Sequence, residues 1–198
     1  NQAPRKSTTG EKGNVLKIRL ELRSFADIGL VGLPNAGKST FLKAVSSAKP
    51  KIGDYPFTTI KPNLGTIKYF DKSFVFADIP GLIEGASQGT GLGIKFLKHI
   101  SRTKALLIFL DPHNTEHDFE NQLKILTNEM KHFDSKLLQK NMWIVLNKID
   151  TVDNLNENLS IIDKCIPSEL KINQIRGISS ISKKGIKELF NEVFRKLT

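Results

Sequence analysis

Gly32, Leu33, Pro34, Asn35, Ala36, Gly37, Lys38 and Ser39 have the G-x-x-x-x-G-K-[ST] spacing of a loop that wraps a chain of phosphates. Glycines at both ends let the backbone turn so that successive amides face a bound anion. If a helix follows at once, its positive dipole end adds to the grip, through Lys38, Ser39 and Thr40. The Lys38 ammonium can reach the outer phosphates, and the Ser39 hydroxyl is the expected Mg²⁺ ligand. A second group lies far along the chain, at Asn147, Lys148, Ile149 and Asp150. A carboxylate at Asp150 can accept both N–H donors on the edge of guanine, a paired contact that adenine cannot reproduce. Asn147 is expected to tie this segment to the phosphate loop and the base, and the Lys148 stem to cover one face of the ring.

Between these two lie candidates for sensing the outermost phosphate. Asp78, Ile79, Pro80 and Gly81 close an apolar run; an Asp there can hold Mg²⁺ through water, and the Gly81 amide can bond a γ-phosphate only while it is present. Glycines at 85, 89, 91 and 93 fit a segment that must move. Residues 54–59, with Phe57, Thr58 and Thr59, are placed where a loop can swing over the nucleotide. Thr59 is the expected third Mg²⁺ ligand, with Thr58 the runner-up. Ser179, Ser180 and Ile181 can aim a backbone N–H at the guanine O6, or can equally serve as a helix N-cap.

These groups need a scaffold that gathers loops at one edge. Residues 25–31 are an apolar strand leading straight into the phosphate loop. Residues 64–70 and 73–79 read as a hairpin turning at Asp71-Lys72. Residues 105–111 and 142–150 hold strands apolar enough to be buried on both faces. Phe119, Leu123, Leu126, Met130 and Phe133 recur at the spacing of a helix lying on a sheet. A last strand near residues 174–179 leads to a helix with Ile186, Leu189, Phe190, Val193 and Leu197 on one face. Strands alternating with helices predict an α/β doubly wound sheet, six-stranded, mostly parallel, in the order 2-3-1-4-5-6, with about five helices around it. Residues 15–22 alternate like a half-exposed strand, after an irregular arm.

Composition sets outer bounds. The chain has 198 residues, 30 Lys plus Arg against 20 Asp plus Glu, and a net charge of +10. Its hydrophobic content of 39% is that of an ordinary globular domain. No apolar run approaches a membrane span, and a lone Cys165 excludes an internal disulfide framework, so the cytoplasm is the expected compartment. Residues 1–23 carry six bases and two acids, an excess that suits a polyanionic partner. The chain starts at Asn1 with no signal peptide, which reads as a piece of a longer protein. The four histidines show no metal-ligand spacing. Trp143 reads as core.

The runs GLPNAGKST, DYPFTTIKPNLG, DIPGLIEGASQGTGLGIKFLKHI and NKID, in this order and spacing, resemble the GTP-binding domain of the Obg family of small GTPases. The resemblance covers almost the whole chain. It implies a Ras-like P-loop NTPase fold over residues 24–198, with residues 1–23 the end of a glycine-rich amino-terminal domain. It also implies GTP and GDP as ligands, Mg²⁺ held by Ser39, Thr59 and Asp78, and association of a monomer with the RNA and proteins of the large ribosomal subunit. The reacting end of the nucleotide would meet Lys38, Thr59 and Gly81. Where Ras-like enzymes carry a water-orienting glutamine, this chain has Leu82, which predicts slow hydrolysis. Asn35 matches the asparagine that holds K⁺ in similar leucine-bearing GTPases, although it can equally brace the loop. Glu84 is a weaker candidate for placing water. Lys95, Lys98 and Arg102 form a basic helical stripe, either a solvated face or an RNA contact. A nucleotide-binding module without turnover, and a P-loop phosphotransferase, are the competing readings.

Overall fold

The computed structural model describes residues 26–47, 51–52, 63–78 and 103–197, together with residues 10, 13, 16 and 17. Within them seven strands form one sheet: β1 (Ile28–Gly32), β2 (Lys51–Ile52), β3 (Asn63–Tyr69), β4 (Lys72–Asp78), β5 (Ala105–Leu110), β6 (Asn141–Leu146) and β7 (Ile172–Gly177). Their order is β2-β3-β4-β1-β5-β6-β7. Strand β3 runs antiparallel to β4, while β4, β1, β5, β6 and β7 pair in parallel. Six of the seven are the expected strands in the expected order. The seventh corrects the count: Lys51 pairs with Leu64 and Ile52 with Asn63, antiparallel, at the outer edge of β3. Two residues carry no readable periodicity, so the pattern alone misses such a strand.

The hairpin also turns one residue earlier than expected. Tyr69 pairs with Lys72, leaving Phe70 and Asp71 as the turn, with Phe70 at φ 50° and 87% exposed. Moving the turn by one residue shifts the pairing by two and leaves the same faces inward. Alternation therefore fixes which side is buried but not which residues are opposite.

Among the described residues four α-helices flank the sheet: α1 (Lys38–Val45), α2 (Phe119–Phe133), α3 (Leu155–Lys164) and α4 (Ile186–Leu197). Five were expected; the basic stripe at Lys95, Lys98 and Arg102 lies outside the described residues. Strand β5 shows why the sheet needs cover on both sides. All six of its side chains are buried, and they alternate between two cores. Leu106, Ile108 and Leu110 face Leu123, Leu126 and Met130 of α2 and Ile162 of α3. Leu107 and Phe109 face Phe41 and Leu42 of α1 and Leu189, Val193 and Phe194 of α4, with Trp143 beside them. Parallel strands send all their carboxyl ends to one edge, so the Asp78 end of β4 and the loops after β1, β5 and β6 lie at that edge.

Candidate functional site

The phosphate loop leaves β1 at Gly32 and becomes α1 at Lys38. Gly32 is needed because a Cβ there would lie 2.7 Å from the Phe109 carbonyl of the neighbouring strand. Gly37 takes the left-handed conformation at φ 86°, heads α1 without a side-chain cap, and has no acidic residue in the turn that follows. The amides of that helix start are thus not claimed by a capping side chain, as an anion site requires. Lys38 folds back so that Nζ donates to the carbonyls of Gly32 at 2.7 Å and Leu33 at 3.1 Å. Burial lowers its pKa, against an opposing pull from the Asp78 carboxylate. A half-desolvated ammonium framed by carbonyls is a ready partner for an incoming phosphate.

Ser39 Oγ donates to Asp78 Oδ2. A hydroxyl and a carboxylate from two different elements thus converge beside Lys38, the hard-oxygen donor set that suits Mg²⁺. Leu33 and Ala36 are buried, whereas Pro34, Asn35 and Thr40 are exposed, with Asn35 at φ 63°.

The second segment follows β6. The Asn147 amide N–H donates to Leu110 O at 3.1 Å, continuing the β5–β6 ladder by one residue. Its side chain, 1% exposed, is a hub. Asn147 Nδ2 donates to Ala36 O in the phosphate loop at 3.0 Å. Asn147 Oδ1 accepts from Ser180 N at 3.1 Å and from Ser180 Oγ at 2.9 Å. The expected tie between the two segments is therefore present, and it extends to the Ser179–Ser180–Ile181 turn. Lys148 adopts φ 61°, and Ile149 N donates to Ile178 O at 3.1 Å, which turns Asp150 outward on a short 3-10 helix, Ile149–Thr151. Asp150 is exposed.

The N-cap alternative for Ser179–Ile181 does not hold. Helix α4 starts only at Ile186, after Gly185 at φ 77°, and Ser179 Oγ accepts from Ser182 N at 2.9 Å within a local turn. Ile181 is exposed and Ser179 and Ser180 are buried. The other expected site residues, Phe57, Thr58, Thr59, Ile79, Pro80, Gly81, Leu82 and Glu84, lie outside the described residues. So does the strand expected at 15–22, apart from Leu16 and Lys17, which are not in a strand.

Two residues of the site, Asp111 and His113, escaped the sequence reading. A cleft of about 610 Å³ is lined by Leu33, Pro34 and Asn35 on one side and by Asp111, His113 and Lys148 on the other. Lys148 Nζ lies 2.6 Å from Asp111 Oδ2. Asp111 sits just past the carboxyl end of β5, next to β6 in the sheet, and that position was the available signal. Among the described residues no cluster of His, Cys, Asp and Glu forms a metal centre, and no helix is long and apolar enough to cross a membrane.

Residues 27–148 match the family described as 50S ribosome-binding GTPase. The chain is 47% identical, over all 198 residues, to the GTPase Obg of Chlorobaculum tepidum, and it spans 56% of that protein's length. Among solved structures it is similar in fold to the G domain of the T. maritima FeoB iron transporter, with a TM-score of 0.63 and 19% identity over 86% of this chain and 98% of that one. A GTP-binding protein from Sulfolobus solfataricus, solved in complex with GDP, gives a TM-score of 0.69 and 19% identity over 86% of this chain and 53% of the other. At that identity the two structures speak for the fold, a P-loop GTPase fold, which the sheet order and the loop after β1 already require. With phosphate loop, Asn147 hub and family match in agreement, the chain belongs to the 50S ribosome-binding GTPases, in the Obg family.

Proposed function

We propose that this chain binds GTP with Mg²⁺, hydrolyses it slowly, and works as a nucleotide-dependent switch on the large ribosomal subunit in the cytoplasm. Residues 24–198 carry that activity, with residues 1–23 the end of a preceding glycine-rich segment. The observation that carries the reading is Asn147. One buried side chain joins the Ala36 carbonyl of the phosphate loop to Ser180, so the two ends of a nucleoside triphosphate would meet a single connected surface.

In this reading the loop amides and Lys38 hold the phosphates, and Lys38 exchanges its carbonyl partners for phosphate oxygens. Asp150 reads the guanine edge and the Lys148 stem lies along the ring. The Ser180 amide is taken by Asn147, which leaves the Ile181 end of the turn as the contact for O6. Ser39 and Asp78 would hold Mg²⁺, with Thr59 completing the set, and the ion would supply charge neutralisation at the β- and γ-phosphates. Gly81 would report the γ-phosphate through its amide. Leu82 cannot hydrogen-bond an attacking water, which supports slow turnover. Asn35, exposed on the flank of the loop, offers the neutral oxygen that K⁺ takes, and such an ion would add positive charge near the transferred phosphoryl group. The rRNA contact would run through Lys95, Lys98 and Arg102, aided by a net charge of +10.

The deciding experiment measures affinity for GTP, GDP and ATP, then single-turnover phosphate release in KCl and in NaCl. GTP and GDP should bind at least about 100-fold more tightly than ATP, and release should be faster in KCl. Equal affinity for ATP would overturn the reading. Equal rates in both salts would remove the role of K⁺ alone. A complete lack of phosphate release would instead favour a binding module without turnover, the reading that Leu82 keeps open.

A further inference from the structure

Lys148 is held from outside the segment it belongs to. Its Nζ meets Asp111 Oδ2 at 2.6 Å, and the Asp111 side chain is only 6% exposed. The other carboxylate oxygen, Oδ1, accepts from His113 N at 3.0 Å, so both oxygens are engaged.

Asp111 is fixed in turn by Gln122 of α2. Gln122, buried, accepts from Asp111 N at 3.1 Å and donates from Nε2 to Asp111 O at 3.0 Å and to His117 O at 3.0 Å. A buried side-chain amide with all three bonds satisfied fastens the loop 111–117 to the helix.

The loop also touches the base segment at a second point. Thr151 Oγ1 donates its one proton to Lys148 O at 2.7 Å, so His113 Nε2, 2.6 Å from that oxygen, must be the donor there. Loop 111–117 and residues 148–151 thus form one body, with the Lys148 stem stretched along the cleft beside the phosphate loop.

We infer that Asp111 is a positioning residue for guanine-nucleotide binding: by holding the Lys148 ammonium it fixes the stem that packs on the purine. A free lysine side chain must give up rotamer freedom when a ring lies against it. Anchored to Asp111, Lys148 has already given it up, which favours the bound state and slows release. This rests on the guanine-nucleotide reading above and adds to it a residue just past β5 that lies outside the phosphate loop and the 147–150 segment.

The test uses the full 198-residue chain and a fluorescent GDP analogue, with release followed by stopped flow. Asp111→Asn should speed release by about tenfold. Lys148→Met should give a comparable acceleration, and the double variant should be no faster than either single one. The rise in melting temperature that GDP confers should shrink in Asp111→Asn, whereas a merely structural residue would lower the melting temperature with and without GDP alike. Unchanged release in Asp111→Asn, or accelerations that multiply in the double variant, would overturn the inference while leaving GTP binding intact. Failure of the unsubstituted chain to bind GDP would overturn the functional reading and this inference together.

Discussion

A Cβ at Gly37 would stand 2.2 Å from the Asn147 amide nitrogen. The phosphate loop and the segment after β6 are thus packed so closely that the glycine is fixed by its neighbour as well as by its own φ of 86°. Gly37→Ala should push the two segments apart, lower stability by about 3 kcal/mol and weaken GTP binding by about 100-fold. Thermal melting and nucleotide titration check both effects; a variant with wild-type affinity would show that the contact is easily relieved.

Asn147→Ala removes three buried hydrogen bonds at once, those to Ala36 O, Ser180 N and Ser180 Oγ. The Ser180 amide would then be buried without its acceptor, and the expected loss is about 2–4 kcal/mol. Chemical denaturation measures it. Asn147→Asp retains the acceptor toward Ser180 but loses the donor toward Ala36, so it should fall between the wild type and the alanine variant.

Asp150 stands outside this hydrogen-bonded hub, exposed on its short 3-10 turn. Asp150→Asn should therefore leave the melting temperature of the free protein within about 1 °C, a surface-substitution effect, while moving preference from GTP toward xanthosine triphosphate. Competition between the two nucleotides reads the outcome. A large loss of stability would mean that Asp150 holds the fold.

Glu129 of α2 is half-buried, and among the described residues its titration should be visible in stability. Its Oε2 is buried with no hydrogen-bond partner among the described residues, and desolvation raises its pKa from 4.5 to about 7. The unfolded chain releases this proton near 4.5 and the folded one near 7, so the group's cost grows between those values and is complete above them. Glu129→Gln should stabilise the protein by about 1 kcal/mol at pH 8, the full shift being cut down by solvent screening, and by almost nothing at pH 4. Melting curves at the two pH values check the sign; a benefit larger in acid would contradict it.

The strands and helices around the site were legible because their signals are strong and redundant. Leu106 to Leu110 is apolar at every position, and Phe119 to Phe133 repeats at helical spacing over fifteen residues. The glycines and Lys38 of the phosphate loop, and the Asn147 tie, follow from what wrapping a phosphate demands. Asp111 was not legible, because one acid after an apolar strand looks like any strand end until the sheet order puts it next to Lys148. Nor was Gln122: a glutamine inside an amphipathic helix reads as surface, and only its three bonds to the loop show why it is buried. The two-residue strand Lys51–Ile52 and the turn at Phe70-Asp71 were set by pairing with a neighbour, information that a single segment does not contain.

The asymmetry between Asn147 and Asp150 bears on how such proteins can change their ligand. Asp150 hangs free while Asn147 is welded into the architecture. If Asp150 reads the purine as proposed, a lineage could change its preference by one exposed replacement at little risk to folding, whereas a change at Asn147 would unsettle the phosphate loop, its own segment and the Ser180 turn together. Divergence among proteins built this way should accumulate at the reader and spare the clamp.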